Sequence, residues 1–160
     1  MKKIISTLIM MTMMLTLFVV TPTQVEASEV ESTEDVLVDG SYLTTDTEST
    51  VVVYPRTRGV YLLSGSGTIT QQSTKVVGVA GTTTATMTVS SVKVSATLQR
   101  YVSGSWVSVE TWENTAYSTN YVSLFTQVSV TGGYYYRVLS NHWAYTEWTQ
   151  GVTNGIWIAS

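Results

Sequence analysis

Val92-Lys93-Val94-Ser95-Ala96-Thr97-Leu98-Gln99 alternates an apolar and a polar side chain at every step. Successive side chains of a strand point to opposite faces. Val92, Val94, Ala96 and Leu98 are therefore expected to face a core, and Lys93, Ser95, Thr97 and Gln99 the other side. Directly downstream, Ser103-Gly104-Ser105 predicts a hairpin turn into a second strand, Trp106 to Trp112. From about Val53 onward no window shows sustained apolar spacing at i, i+3, i+4, the mark of an amphipathic helix.

Working outward, Val60-Tyr61-Leu62-Leu63 reads as a strand ended by a turn cluster, Ser64-Gly65-Ser66-Gly67. Thr68 to Thr70 and Lys75 to Ala80 follow as short strands. Tyr121 to Val130 is another, then a turn at Thr131-Gly132-Gly133, a central strand from Tyr134 to Leu139, and a last one within Gly151 to Ile158. Seven or eight strands over about a hundred residues predict a single immunoglobulin-like or fibronectin-type β-sandwich. The cluster Tyr134-Tyr135-Tyr136, set directly after glycines, suits a tyrosine corner, in which a hydroxyl bonds back to the chain upstream.

The N-terminus reads as an export signal. Met1-Lys2-Lys3 is basic, Ile4 to Val20 is apolar but interrupted by Ser6, Thr7, Thr12 and Thr16, and Thr21-Pro22 breaks it. Val25-Glu26-Ala27 then offers the small-residue pattern of a cleavage site after Ala27. A permanent anchor wants about 20 predominantly apolar residues, so residues 1–27 are expected to be removed. No membrane association is expected afterwards. The chain has no Cys, which excludes lipid attachment at the cleavage point, a disulfide framework and a Cys-based metal site. The expected product is a secreted, extracellular protein, and the absence of extracellular disulfides points to a Gram-positive bacterium.

Charge divides the remainder. Ser28 to Thr50 carries seven acids and no base, whereas Val51 to Ser160 carries six bases against three acids. Residues 28–52 are expected to be an acidic flexible lead and residues 53–160 the β domain. The lead is read either as a solvated spacer or as an arm docked on the weakly basic domain.

Two stretches carry a resemblance. They are Leu98-Gln99-Arg100-Tyr101-Val102-Ser103-Gly104-Ser105-Trp106-Val107, continuing to Glu110-Thr111-Trp112, and Gly132-Gly133-Tyr134-Tyr135-Tyr136-Arg137-Val138. They resemble an uncharacterised family of small secreted proteins from Gram-positive Firmicutes, domain of unknown function 6147, over about Arg58 to Ile158. The resemblance implies secretion and a β fold, and carries no functional residues with it.

Chemistry is sparse. A Ser–His–Asp triad needs a base and an orienting acid. The chain holds one histidine, His142, expected at a strand end or on the surface, and all three aspartates lie in the acidic lead. No paired carboxylates suggest glycoside hydrolysis: Glu110 and Glu113 are expected on opposite faces of one strand, and nothing pairs either with Glu147. Metal ligands, a calcium loop and a phosphate-binding loop are all missing. Six bases against three acids are too few for nucleic acid. No cofactor and no enzymatic activity are expected. The remaining signal is aromatic, five Trp and ten Tyr. If Val107 and Val109 face the core, Trp106, Glu110 and Trp112 share an outer face on which sugar rings could stack. The competing reading places these tryptophans in the core. The expectation is a recognition or adhesion module binding extracellular polysaccharide or protein. The alternative is a structural or interaction protein with no small-molecule site.

Overall fold

The computed structural model describes residues 36–56 and 59–160. The expected signal segment, its cleavage point at Ala27 and the start of the acidic lead lie outside the described residues. Those described are all-β and form nine strands: β1 (Val36–Val38), β2 (Ser41–Thr44), β3 (Glu48–Val53), β4 (Leu62–Ser73), β5 (Val76–Val102), β6 (Ser105–Ser129), β7 (Tyr134–Ala144), β8 (Glu147–Val152) and β9 (Gly155–Ile158). They join one sheet in the order β1-β2-β9-β7-β5-β4-β3, with β6 beside β5 and β8 beside β7.

The alternating stretch sits in the second half of β5, a strand of 27 residues, far longer than the 3–10 residues usual for globular proteins. It bends. The β5–β6 ladder is interrupted between Thr84 and Val89, Met87 there is half exposed, and on β6 the bend is taken up by Ser118 at φ 51°. Before the bend β5 lies between β4 and β6; after it, between β7 and β6. The sheet thus curls on itself so that its halves face each other, an arrangement that fits a sandwich. Ile69, Val77 and Val79 of one layer meet Ala96, Leu98, Val138, Ile156 and Ile158 of the other. Nearer the bend, Leu62, Ala85, Val92, Val94 and Ala144 make a second cluster. Val92, Val94, Ala96 and Leu98 all face inward, at 0% exposure.

The hairpin at Ser103-Gly104 forms as expected, both residues at positive φ (49° and 87°), the geometry of a type I′ turn whose twist matches its strands. The tyrosine corner forms too: the Tyr136 hydroxyl donates to the Thr131 carbonyl at 2.8 Å.

Two expectations are corrected. Ser64-Gly65-Ser66-Gly67 is not a turn but the middle of β4. Its glycines serve close approach between layers: a Cβ on Gly65 would lie 2.2 Å from the His142 ring, and one on Gly67 2.5 Å from Ser140 Oγ. The second correction concerns the acidic lead, which from Val36 onward is structured. β1 and β2 form a hairpin about Asp39-Gly40, β2 runs parallel to β9, and β3 pairs with β4. Backbone ladders hold β2 and β3, and an ion pair adds to them at the β1–β2 turn. Arg137, 4% exposed, donates to Asp39 at 3.0 Å, to Ser41 at 2.9 Å and to Gln99 at 2.8 Å. The folded domain therefore begins at or before Val36, not at residue 53.

Tyr136 is 1% exposed, so Tyr136→Phe removes one buried hydrogen bond without changing the ring. It is expected to lower unfolding free energy by about 1 kcal/mol in chemical denaturation. Tyr135→Phe, whose hydroxyl makes no such bond, is expected to stay within about 0.5 kcal/mol of the parent. Equal losses in both would remove the corner's special role.

Candidate functional site

Trp106, Glu110 and Trp112 do not assemble into a platform. Leu98 pairs with Glu110 but Gln99 pairs with Ser108, so Val109 is an extra residue in β6. A β-bulge of one residue reverses which face the following side chains take. Trp112, opposite Ala96, points inward and packs against the core. Glu110 keeps that inward parity at the exposed rim. Trp106, opposite Tyr101, lies on the other face, its ring 4.3 Å under the Arg137 guanidinium and 5.1 Å from the Tyr101 ring. It secures the buried cation rather than presenting a surface.

A different pair of tryptophans is presented. Because the even-numbered residues of β5 after the bend, Val92 to Leu98, face the core, Lys93, Ser95 and Thr97 face outward, and register carries that face across the layer. Lys93 lies opposite Trp143, and Ser95 opposite both Asn141 and Glu113. On β8, Trp148 lies opposite Trp143 and Gln150 opposite Asn141. Directly opposed residues have Cβ atoms about 4.5–5.5 Å apart, so Trp143 and Trp148 stand side by side, the latter 61% exposed. The polar groups around them are held by one another. Lys93 Nζ sits 5.0 Å from the Trp143 ring centre and 2.9 Å from Glu113 Oε2. Gln150 Nε2 donates to Asn141 Oδ1 at 2.8 Å. Small Ser95 and Thr97 form the floor between these larger neighbours.

Beside Trp148 the layer opens into a cleft of about 600 Å³, lined also by Arg56, Thr146 and Gln150. Glu147 closes its inner end. Its carboxylate accepts the backbone N–H groups of Val60 (2.7 Å), Tyr61 (3.0 Å) and Leu62 (2.7 Å). The Leu62 bond foremost, with those of Val60 and Tyr61, holds this carboxyl below its usual range. With both carboxylate oxygens engaged, Glu147 anchors the start of β4. The sequence concealed this pairing because the β7–β8 hairpin turns at Tyr145-Thr146, with Tyr145 at φ 54° and none of the Gly or Asn that mark such turns.

His142 is not at a strand end or on the surface. It lies within β7 at 0% exposure, where β4 passes over it at Gly65. Thr83 spends its hydroxyl proton on the Lys93 carbonyl (3.0 Å), so Thr83 Oγ1 accepts from His142 Nδ1–H at 2.9 Å. Nε2 then accepts from the Ser140 hydroxyl at 3.0 Å, the shorter of that hydroxyl's two contacts, the other being the Gly151 carbonyl at 3.3 Å. This serine–histidine contact is buried between the layers, with no opening to solvent at either side chain. Burial pushes the imidazole down to about 4, against an opposing backbone hydrogen bond at Thr82. Among the described residues no group of three or more His, Asp or Glu could hold a metal ion. No family model, curated protein or solved structure matches the chain.

A histidine held neutral when folded takes up its proton only on unfolding until the pH nears its folded value. Its contribution is therefore intact above the unfolded value of 6.5 and lost progressively as pH falls toward about 4, a total of roughly 3 kcal/mol. Unfolded carboxylates, with values of about 4.3, are almost fully ionised above about 5.5, so the window from about 5.5 to 6.5 reports His142. Denaturation midpoints are expected to fall across that window in the parent and to stay level in His142→Gln. The same slope in both would assign the titration elsewhere.

Proposed function

We propose that this chain is an exported recognition module that binds extracellular polysaccharide on the outer face formed by β8, β7, β5 and β6. The observation that carries the reading is Trp143 set beside Trp148, with Lys93, Glu113, Asn141 and Gln150 around them. A sugar ring presents C–H faces that stack on indole and hydroxyl edges that both donate and accept. The tryptophans offer the first contact, and the amide, carboxylate and ammonium groups the second. Because those polar groups already bond to one another, little side-chain freedom is left to lose on binding. The cleft beside Trp148 gives a chain of sugars somewhere to continue. Export is supported by the pattern of Met1 to Ala27 and by the resemblance to secreted Firmicutes proteins.

The free edge of β6 favours a second reading, a protein that acts through strand-to-strand contacts and holds no small molecule.

The test is co-precipitation and affinity electrophoresis of the purified protein against a panel of cell-wall and plant polysaccharides. Trp148→Ala removes an exposed ring and is expected to leave the melting temperature unchanged while weakening retention by about tenfold, near 1.4 kcal/mol. Trp157→Ala, on another part of the surface, is expected to bind as the parent does. No retention across the panel, or parental binding by Trp148→Ala, would sink the proposal.

A further inference from the structure

β6 runs for 25 residues, and among the described residues it pairs only with β5. Its other side is an edge, and the backbone groups presented there can be identified. Val130 N donates to Lys75 O across the ladder at 2.8 Å, which makes Val76 and Ser129 a non-hydrogen-bonded pair. Ser129 therefore directs its N–H and C=O away from β5. By alternation, so do Gln127, Phe125, Ser123 and Tyr121. Side chains of the same strand confirm the direction. Asn114 Nδ2 donates to the Ser123 carbonyl at 2.7 Å, and the Thr119 hydroxyl bonds both the N–H and the carbonyl of Tyr121. No hydrogen bond within the described residues reaches the outward groups of Phe125 and Gln127.

Native sheets blunt long edges with charge, proline or a bulge. The first half of β6 has such devices, with Glu110, Glu113 and the bulge at Val109. Past the bend at Ser118 it has none: Tyr121 to Ser129 pairs with β5 in unbroken register and carries neither a charged residue nor a proline. Phe125, 65% exposed, and Tyr121, 48% exposed, stand along it on the outer face. On the inner face, Leu124 and Val128 are only partly covered where they pack on the core.

We propose that a second copy of this chain pairs its β6 antiparallel to this one over Tyr121–Ser129, about a twofold axis at Phe125. The segment is its own complement in that register. Phe125 faces Phe125, Ser123 faces Gln127, and on the inner side Val122 faces Val128, with no charge on either strand to oppose the approach. Outward-directed groups meet outward-directed groups, since all of these residues share one parity. The Ser123 carbonyl keeps its Asn114 bond and accepts the new one, having two lone pairs, while the Tyr121 N–H exchanges its 3.3 Å bond to Thr119 Oγ1 for the Ser129 carbonyl of the second copy. Each copy brings β3, β4, β5 and β6, so the dimer layer is a continuous sheet of eight strands, closed by its twofold axis against further addition at that edge.

Sedimentation equilibrium of the purified protein is expected to show a monomer–dimer equilibrium that persists in high salt, because no ion pair holds the contact. Phe125→Lys sets two like charges face to face at the axis without touching the core. It is expected to weaken dimerisation by at least about tenfold with an unchanged circular dichroism spectrum. Ser105→Lys, at the far end of the same strand, is expected to dimerise as the parent does. The chain has no cysteine, and Cα atoms of a hydrogen-bonded antiparallel pair lie about 5.5 Å apart, within reach of a disulfide. Phe125→Cys is therefore expected to oxidise to a covalent dimer, and Tyr117→Cys not to. A protein monomeric at every concentration, a dimer dispersed by salt, or Phe125→Lys dimerising like the parent would overturn the proposal.

Discussion

The two halves of β5 pack their inward faces against each other, and the rest of the fold is arranged around that contact. Val77 and Val79 lie over Ala96 and Leu98, all at 0% exposure. Burying a side chain of valine or leucine size is worth about 1.5–3 kcal/mol, so this seam is a large share of what holds together a domain without disulfides. Because one strand supplies both layers, the bend between Thr84 and Val89 fixes how they superpose. β6, hydrogen-bonded to β5 on both sides of the bend, has to bend with it. The shorter strands then each join one layer: β3 and β4 the first, β7, β8, β9 and the β1–β2 hairpin the second.

Close superposition constrains what can lie between the layers. Where β4 crosses β7, only glycine fits, and the space this leaves is filled by His142 and Ser140. A neutral imidazole there has a donor and an acceptor, and Thr83 and Ser140 satisfy both. Buried polar groups are tolerated when every member of the network is bonded, and burial keeps the ring of this one uncharged. The Arg137 cation follows the same rule on the opposite face of β7. Desolvation lowers its pKa and the Asp39 carboxylate restores part of that loss, while Trp106 covers the guanidinium. That cation ties the β1–β2 turn to β7, beside the backbone ladders that join β2 to β9 and β3 to β4.

With the interior filled in this way, the proposed recognition is left to two surfaces of different character. The outer face of the second layer is aromatic and hydrogen-bonding, its side chains already held by one another. The rim of the first layer is uncharged backbone with exposed aromatic rings. A ligand with alternating apolar faces and hydroxyl edges suits the former, and another strand suits the latter. The two surfaces share no side chain, so occupancy of one leaves the other accessible.

By itself the sequence determined the all-β class, the inward face of Val92 to Leu98, the Ser103-Gly104 hairpin and the tyrosine corner. Each of these follows from chain-local physics: alternation with period two, residues that accept positive φ, and a ring placed within reach of its own upstream carbonyl. Only tertiary structure decided the remainder. Gly65 and Gly67 read as a turn because their reason for being glycine, the ring and hydroxyl of another layer, is 70 or more residues away in the chain. Val36 to Val53 joins the domain through partners distant in the chain, β9, β4 and Arg137. The aromatic surface moved from Trp106 and Trp112 to Trp143 and Trp148 because one bulged residue at Val109 reverses parity, and a hairpin turned by Tyr145 carries no turn signal. Period-two reasoning holds only while strand register is unbroken, and register is a property of paired strands rather than of either one alone.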